Sequence, residues 1–384
     1  MRSICAVEGV EAAGLKEGKF GLCLIRASGT AAGTFTKNIV SAAPVHLMKE
    51  TLKGGRLDGI IVNSGCANAY TGDQGIADAK KMAEIGARVL GTTPERVGVA
   101  STGVIGRYID LPLIKEQTTR LAPELSHSPE AETAAARAIM TTDIVEKHAL
   151  VSNDSFSIGG IVKGSGMIAP NMGTMLAFIF TDAELAPEEI RAALLPAVKR
   201  SFNRVVVDGD TSTNDSVFLT ATGKKGPVED MKVFEEALLS VCTSLAVQVA
   251  ADGEGATKLL EVRVTGAPSE DEAEMVAKTI VGSPLVKTAL YGEDPNWGRI
   301  AAAAGRAGVV FEPEAVSLYI GNGEDSIQLV RDGMIVADLE AAKKLMHGSE
   351  VCFRLDLGAG EGEATAWGCD LTEAYVEING KYTT

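Results

Sequence analysis

Gly59-Ile60-Ile61-Val62-Asn63-Ser64-Gly65-Cys66-Ala67-Asn68-Ala69 sets the fold class. Four residues of buried-strand type run into a loop of small residues, and a helical pattern with alanines and Met82 on one face follows at about 75–90. Val97–Ala100 is again a buried-strand pattern, ending in Ser101-Thr102-Gly103. On either side of this unit, Gly21–Ile25, Met175–Phe180, Val205–Val207, Leu259–Val264 and Val351–Leu357 also read as strands. Ser155–Gly166 alternates on either side of Gly159-Gly160 and predicts a hairpin turning there. Pro187–Ser201 has helical spacing, with Pro187 in the permitted first turn and Pro196 expected to kink or shorten the helix. Ser269-Glu270-Asp271-Glu272 predicts a capping box, and Ala273, Val276, Ala277 and Ile280 fall on one helical face behind it. The fold class is α/β (α+β): a layered sandwich of helices packed on β-sheets, with a smaller C-terminal α/β domain bounded near 254–260.

A net charge of −15 repels nucleic acid and acidic membranes, so neither is expected as a partner. No stretch of about 18 uninterrupted apolar residues and no secretory leader pattern occur, so the chain is expected in the cytoplasm. Six cysteines without a C-x-x-C pair read as reduced thiols, and four histidines show no ligand spacing with them; no metal site is expected.

The chemistry concentrates in Lys163-Gly164-Ser165-Gly166-Met167-Ile168-Ala169-Pro170-Asn171-Met172-Gly173-Thr174. A glycine followed by a threonine that opens an apolar strand is most simply a loop feeding the core. It also permits self-cleavage. The Thr174 hydroxyl can attack the Gly173 carbonyl, and glycine tolerates the required strain. The α-amine so freed, with an ordinary pKa of about 7.7–8.0, can serve as base to its own hydroxyl. Acyl transfer needs donors for the oxyanion, and the Thr102 hydroxyl with the Gly103 N–H are candidates.

The run KGSGMIAPNMGTMLAF (163–178) resembles the cleavage segment of the ornithine acetyltransferase (glutamate N-acetyltransferase) family of arginine biosynthesis. TKNIVSAAPV (36–45), IVNSGCANAYTG (61–72), STGVIG (101–106), AIMTTD (138–143), SFNRVVVDGDTSTND (201–215), DGEGATK (252–258), GEDPNWGRI (292–300) and DLTEAYVEINGKYTT (370–384) resemble the same family in the same order. The resemblance implies a precursor cut between Gly173 and Thr174 into an alpha chain, 1–173, and a beta chain, 174–384, that stay associated, as a heterotetramer of two alpha and two beta. Many members carry alanine before the cut, where this chain has Gly173. The resemblance further implies Thr174 as nucleophile and Thr102 and Gly103 as the oxyanion hole. It implies substrate contacts from Lys163, Glu254, Asn379, Thr384 and one of Thr141 and Thr142, of which Thr142 is taken. The implied ping-pong reaction moves acetyl from N-acetylornithine to glutamate through an acetyl-Thr174 ester, with no cofactor. Some members also accept acetyl-CoA, and no residue here decides that.

Two rival classes exist. Val205–Thr211 is a strand followed by D-x-D-x-T, like the nucleophile loop of a magnesium-dependent haloacid-dehalogenase-type phosphatase using Asp208. A binding protein that kept the scaffold and lost the chemistry is the other; intact Thr174, Thr102, Gly103 and Lys163 oppose it. A calcium loop over 208–219 fails, because Thr213 and Leu219 stand where glycine and glutamate are needed.

Overall fold

The structure is a computed structural model and describes residues 3–169, 175–321 and 325–381. In chain order the strands are β1 (Glu11–Glu17), β2 (Phe20–Phe35), β3 (Arg56–Cys66), β4 (Val97–Val104), β5 (Lys147–Ser152), β6 (Ser157–Lys163), β7 (Leu176–Glu184), β8 (Val205–Val206), β9 (Ser216–Pro227), β10 (Leu259–Ala267), β11 (Ser317–Gly321), β12 (Ser326–Arg331), β13 (Met334–Ile335), β14 (Glu350–Asp356) and β15 (Gly362–Cys369). The helices are α1 (Ala43–Thr51), α2 (Gly72–Leu90), α3 (Leu111–Leu121), α4 (Pro129–Ile139), α5 (Pro187–Arg200), α6 (Met231–Ala251), α7 (Glu270–Val281), α8 (Pro284–Tyr291), α9 (Trp297–Gly305), α10 (Leu339–Met346) and α11 (Glu373–Lys381).

The strands form two mixed sheets. One runs β4-β3-β2-β9-β7-β6-β5, with β1 also paired to β2; the other runs β13-β12-β11-β14-β10-β15-β8. The first is covered on both faces, and β7 shows why its sequence is an unbroken apolar run. Phe178 and Phe180 point into the core shared with Leu22, Ile61 and Met82, while Ala177 and Ile179 point into the core shared with α5 and α6. That is the two-residue period of a strand buried on both sides.

Helix α6 lies between the sheets, touching β5 and β6 of the first and β8, β10 and β15 of the second. By length and composition it could cross a bilayer. Its Phe234, Leu238, Val241, Cys242, Leu245 and Val249 are instead buried in the inter-sheet core, as in a core helix. The second sheet packs Leu260, Val262, Val264 and Phe353 against Ala273, Val276, Ala277 and Ile280 of α7.

Three local expectations need correction. Gly159 and Gly160 do not turn the chain; β6 runs straight through them and the turn falls earlier, where the Asn153 side chain accepts the Ser155 and Phe156 N–H groups. Gly159 is required by close approach, since a Cβ there would lie 2.3 Å from the Ser3 carbonyl oxygen. Pro196 does not shorten α5, which continues to Arg200; Pro196 and Ala192 are exposed, so water can satisfy the carbonyl that proline frees. At Ser269 half of the expected capping box forms. The Oγ accepts the Glu272 N–H at 3.2 Å but donates to the Glu272 carboxylate, which therefore does not reach the Ser269 N–H.

Candidate active site

The parallel pair β3–β4 sets Ser64 opposite Thr102 and Gly65 opposite Gly103. Gly103 has φ +128°, and a Cβ there would sit 2.4 Å from the Gly65 carbonyl carbon. Only glycine lets the two backbones abut at this point. The Asn214 amide fixes the end of β4 by donating to the Ser101 carbonyl at 2.8 Å and to the Ala67 carbonyl at 2.6 Å.

Lys163 ends β6. Its Nζ is 3.2 Å from Thr102 Oγ1, and both side chains are buried. Burial pushes the Lys163 ammonium below its ordinary pKa; Asp143 opposes that, Lys147 adds to it, and Asp215 and Glu254 oppose it. An ammonium has only donors, so the Thr102 oxygen must be the acceptor. Its own proton is left to point elsewhere.

Behind Lys163 stands a buried ion cluster that sequence reading did not find. Lys147 Nζ contacts Asp143 at 2.8 Å and Asp252 at 2.5 Å, and the three side chains are 0–2% exposed. Asp143 also accepts the Gly164 N–H at 2.6 Å and the Thr141 N–H at 3.1 Å. Burial alone would raise Asp143, but Lys163, Lys147 and the Gly164 hydrogen bond bring it down to about 2. Burial raises Asp252, against the pull of Lys147. The cluster draws together three segments distant in sequence: 141–147, 163–165 and 252–254.

From it the candidate substrate residues extend as a chain of contacts. Thr142 Oγ1 meets Ser165 Oγ at 2.8 Å, the Glu254 N–H donates to the Ser165 carbonyl at 2.9 Å, and Asn379 donates to the Glu254 carboxylate at 2.8 Å. Of Thr141 and Thr142, it is the Thr142 side chain that joins this network. Thr102, Gly103, Thr142, Lys163, Glu254 and Asn379 are thus held in one region by separate stretches of chain. Gly173, Thr174 and Thr384 lie outside the described residues.

The edges of the proposed cleavage segment are described and are pinned to one loop. Asp208 accepts the Met167 and Ile168 N–H groups at 2.6 and 2.8 Å, and the Ile168 carbonyl accepts the Val207 N–H at 2.7 Å. Thr211 donates to the Ala169 carbonyl at 2.8 Å, and on the far side the Met175 carbonyl accepts the Ser216 N–H at 2.9 Å. The D-x-D-x-T stretch therefore serves as a backbone clamp. Among the described residues no group of three His, Cys, Asp or Glu is placed to hold a metal ion.

Chemically the site offers a freed hydroxyl donor and a backbone N–H at one strand end, a buried ammonium beside them, and a carboxylate with an amide at the far side. That set can polarise a carbonyl and bind a zwitterionic amino acid.

The chain is similar to proteins of known family along nearly its whole length. The ArgJ family model matches residues 7–384. The glutamate N-acetyltransferase of Methanosarcina mazei is 54% identical over 99% of this chain and 98% of its own. The arginine biosynthesis bifunctional protein argJ of Bacillus halodurans, a crystal structure, is 43% identical over 52% of this chain and 96% of that chain, with a TM-score of 0.49. The ornithine acetyltransferase of Mycobacterium tuberculosis, solved in complex with ornithine, is 36% identical over 44% of this chain and 96% of that chain, with a TM-score of 0.43. With a family match along nearly its whole length and a relative at 54% identity, the chain belongs to the ArgJ family of acetyltransferases of arginine biosynthesis.

Proposed function

We propose that the chain cuts itself between Gly173 and Thr174 and then carries acetyl from N-acetylornithine to glutamate on Thr174. The alpha chain is 1–173 and the beta chain 174–384, with a structural division near 254–260. The Thr174 amine takes the hydroxyl proton, and Oγ attacks the acetyl carbonyl. The tetrahedral oxyanion receives the Thr102 hydroxyl and the Gly103 N–H. Ornithine leaves with the proton, and an acetyl-Thr174 ester remains. Glutamate enters, its amine attacks the ester, and N-acetylglutamate departs as the Thr174 hydroxyl is restored.

The observation that carries this reading is the Lys163–Thr102 contact. It leaves the Thr102 hydroxyl as a donor beside Gly103, where an oxyanion needs one. Glu254 suits the substrate ammonium and Lys163 its carboxylate, with Thr142, Asn379 and Thr384 completing the enclosure. No cofactor enters, because the acyl group passes directly between amino acids; acetyl-CoA is a second donor to be assayed. The reaction joins small water-soluble molecules and belongs in the cytoplasm.

Association of the two chains after cleavage is supported by β6 and β7, which lie on opposite sides of the cut and pair from Ile158–Thr181 to Lys163–Leu176. We propose a heterotetramer of two alpha and two beta. Intact-mass measurement with N-terminal sequencing tests the core of the reading: wild type runs as two chains, one beginning at Thr174, and Thr174→Ala as one inactive chain. A fully active preparation with an unbroken bond at 173–174 overturns it.

A further inference from the structure

One row of residues crosses the first sheet and ends at Thr102. In register, Lys16 of β1 stands beside Gly21 of β2, Gly21 beside Ser64 of β3, and Ser64 beside Thr102 of β4. Residues in register project their side chains from the same face of a sheet. Gly21 has no side chain, and a Cβ there would lie 2.1 Å from the Ala138 carbonyl oxygen and 2.6 Å from Ser64 Oγ. That gap lets Lys16 reach across β2. Its Nζ donates to Ser64 Oγ at 2.8 Å and to the Met140 carbonyl at 2.5 Å. Ser64 donates its own proton to the Ala138 carbonyl at 2.7 Å, so its hydroxyl is fixed from both sides. Just beyond Ser64 the backbone is soft: Gly65 and Gly103, which abut, have φ +100° and +128°, a region glycine alone enters freely. The aim of the Gly103 N–H therefore depends on what anchors the residue before Gly65. Burial and the charge of nearby Lys163 both oppose the Lys16 ammonium. Crowding two ammonium groups near Thr102 costs stability, and such arrangements gather at reaction sites.

We infer that Lys16 is a positioning residue for acetyl transfer: through Ser64 it holds the end of β3, and with it the Gly103 N–H and the Thr102 hydroxyl, in the geometry that the tetrahedral oxyanion needs. This rests on the oxyanion role proposed above for Thr102 and Gly103. The oxyanion forms only on the way through the transition state, so the effect falls on kcat and not on substrate capture. Lys16 and Ser64 also donate to carbonyls at the C-terminal end of α4, as a helix cap would. A cap alone would stabilise the fold and leave kcat untouched.

Steady-state transfer of acetyl from N-acetylornithine to glutamate tests this in the full-length protein, at a pH below the lowered Lys16 value of about 8. Rates are counted per chain beginning at Thr174, measured by intact mass. Lys16→Met and Ser64→Ala are each expected to lower kcat about tenfold or more, while neither KM rises more than about twofold. The double variant is expected to be no slower than the slower single, because both substitutions break one link. Ser64→Ala removes a single oxygen and keeps the Lys16–Met140 contact, so it decides the matter even if Lys16→Met folds poorly. Unchanged kcat in Ser64→Ala, a loss confined to KM, effects that multiply in the double variant, or lowered thermal stability with kcat intact would each overturn the inference. A wild-type chain that transfers no acetyl is a different result: it overturns the proposed function itself, and this inference with it.

Discussion

Asp252 accepts a hydrogen bond from Lys147 at 2.5 Å although 105 residues of chain separate them. Lys147 bridges Asp143 and Asp252, and none of the three has water to fall back on. Removing the central cation leaves two buried carboxylates facing each other. Lys147→Met is therefore expected to destabilise the fold by about 3–5 kcal/mol, read by denaturant titration. A change under about 1 kcal/mol would mean that the cluster is not the junction described.

Thr102 tests the oxyanion assignment. Thr102→Val keeps the shape, removes the hydroxyl and strips Lys163 of its acceptor. The expected result is a fall in kcat of about 10²–10³ with a folded protein by circular dichroism. Unchanged kcat would remove Thr102 from the chemistry.

Asp208 separates the two enzyme classes. Asp208→Asn weakens the charge-assisted hold on the Met167 and Ile168 N–H groups. Self-cleavage, followed by intact mass over time, should slow several-fold while acetyl transfer by the already cut fraction persists. Loss of a magnesium-dependent phosphatase activity on this substitution would instead favour the haloacid-dehalogenase reading.

Lys16 gives a pH test. Its Nζ donates to Ser64 Oγ at 2.8 Å and the Met140 carbonyl at 2.5 Å. Burial first, then the nearby Lys163, lowers its pKa to about 8, against the pull of Asp143. Between about 8 and the ordinary lysine value, the unfolded chain holds a proton here that the folded chain lacks. Its contribution to stability therefore rises with pH through that window. Subtracting the Lys16→Met stability curve from that of wild type should isolate this rise; a flat difference would show an unperturbed lysine.

The local signals were legible wherever one segment carries the whole reason. The β7 run and the α7 face follow from side-chain periodicity alone, and Ser101-Thr102-Gly103 shows at once as a strand ending in glycine. Gly159-Gly160 misled because a glycine required by a distant backbone looks, in sequence, like a glycine required by a turn. Asp143 and Asp252 lay within AIMTTD and DGEGATK, yet nothing local marks them as partners of one lysine. The D-x-D-x-T stretch looked like a phosphoryl site because sequence shows carboxylates without showing what they already bind.

The alternation of strands and helices, the glycine-threonine step at 173–174 and the family are all written in the order of residues, because periodicity, residue type and motif order are properties of the chain. It took the folded molecule to establish that Lys163 reaches Thr102, that Thr142 rather than Thr141 turns its side chain to Ser165, and that Asp208 is a clamp. Those facts depend on which segments the two sheets and α6 bring within hydrogen-bond reach. Such contacts act over about 3 Å in space, whatever the distance along the chain.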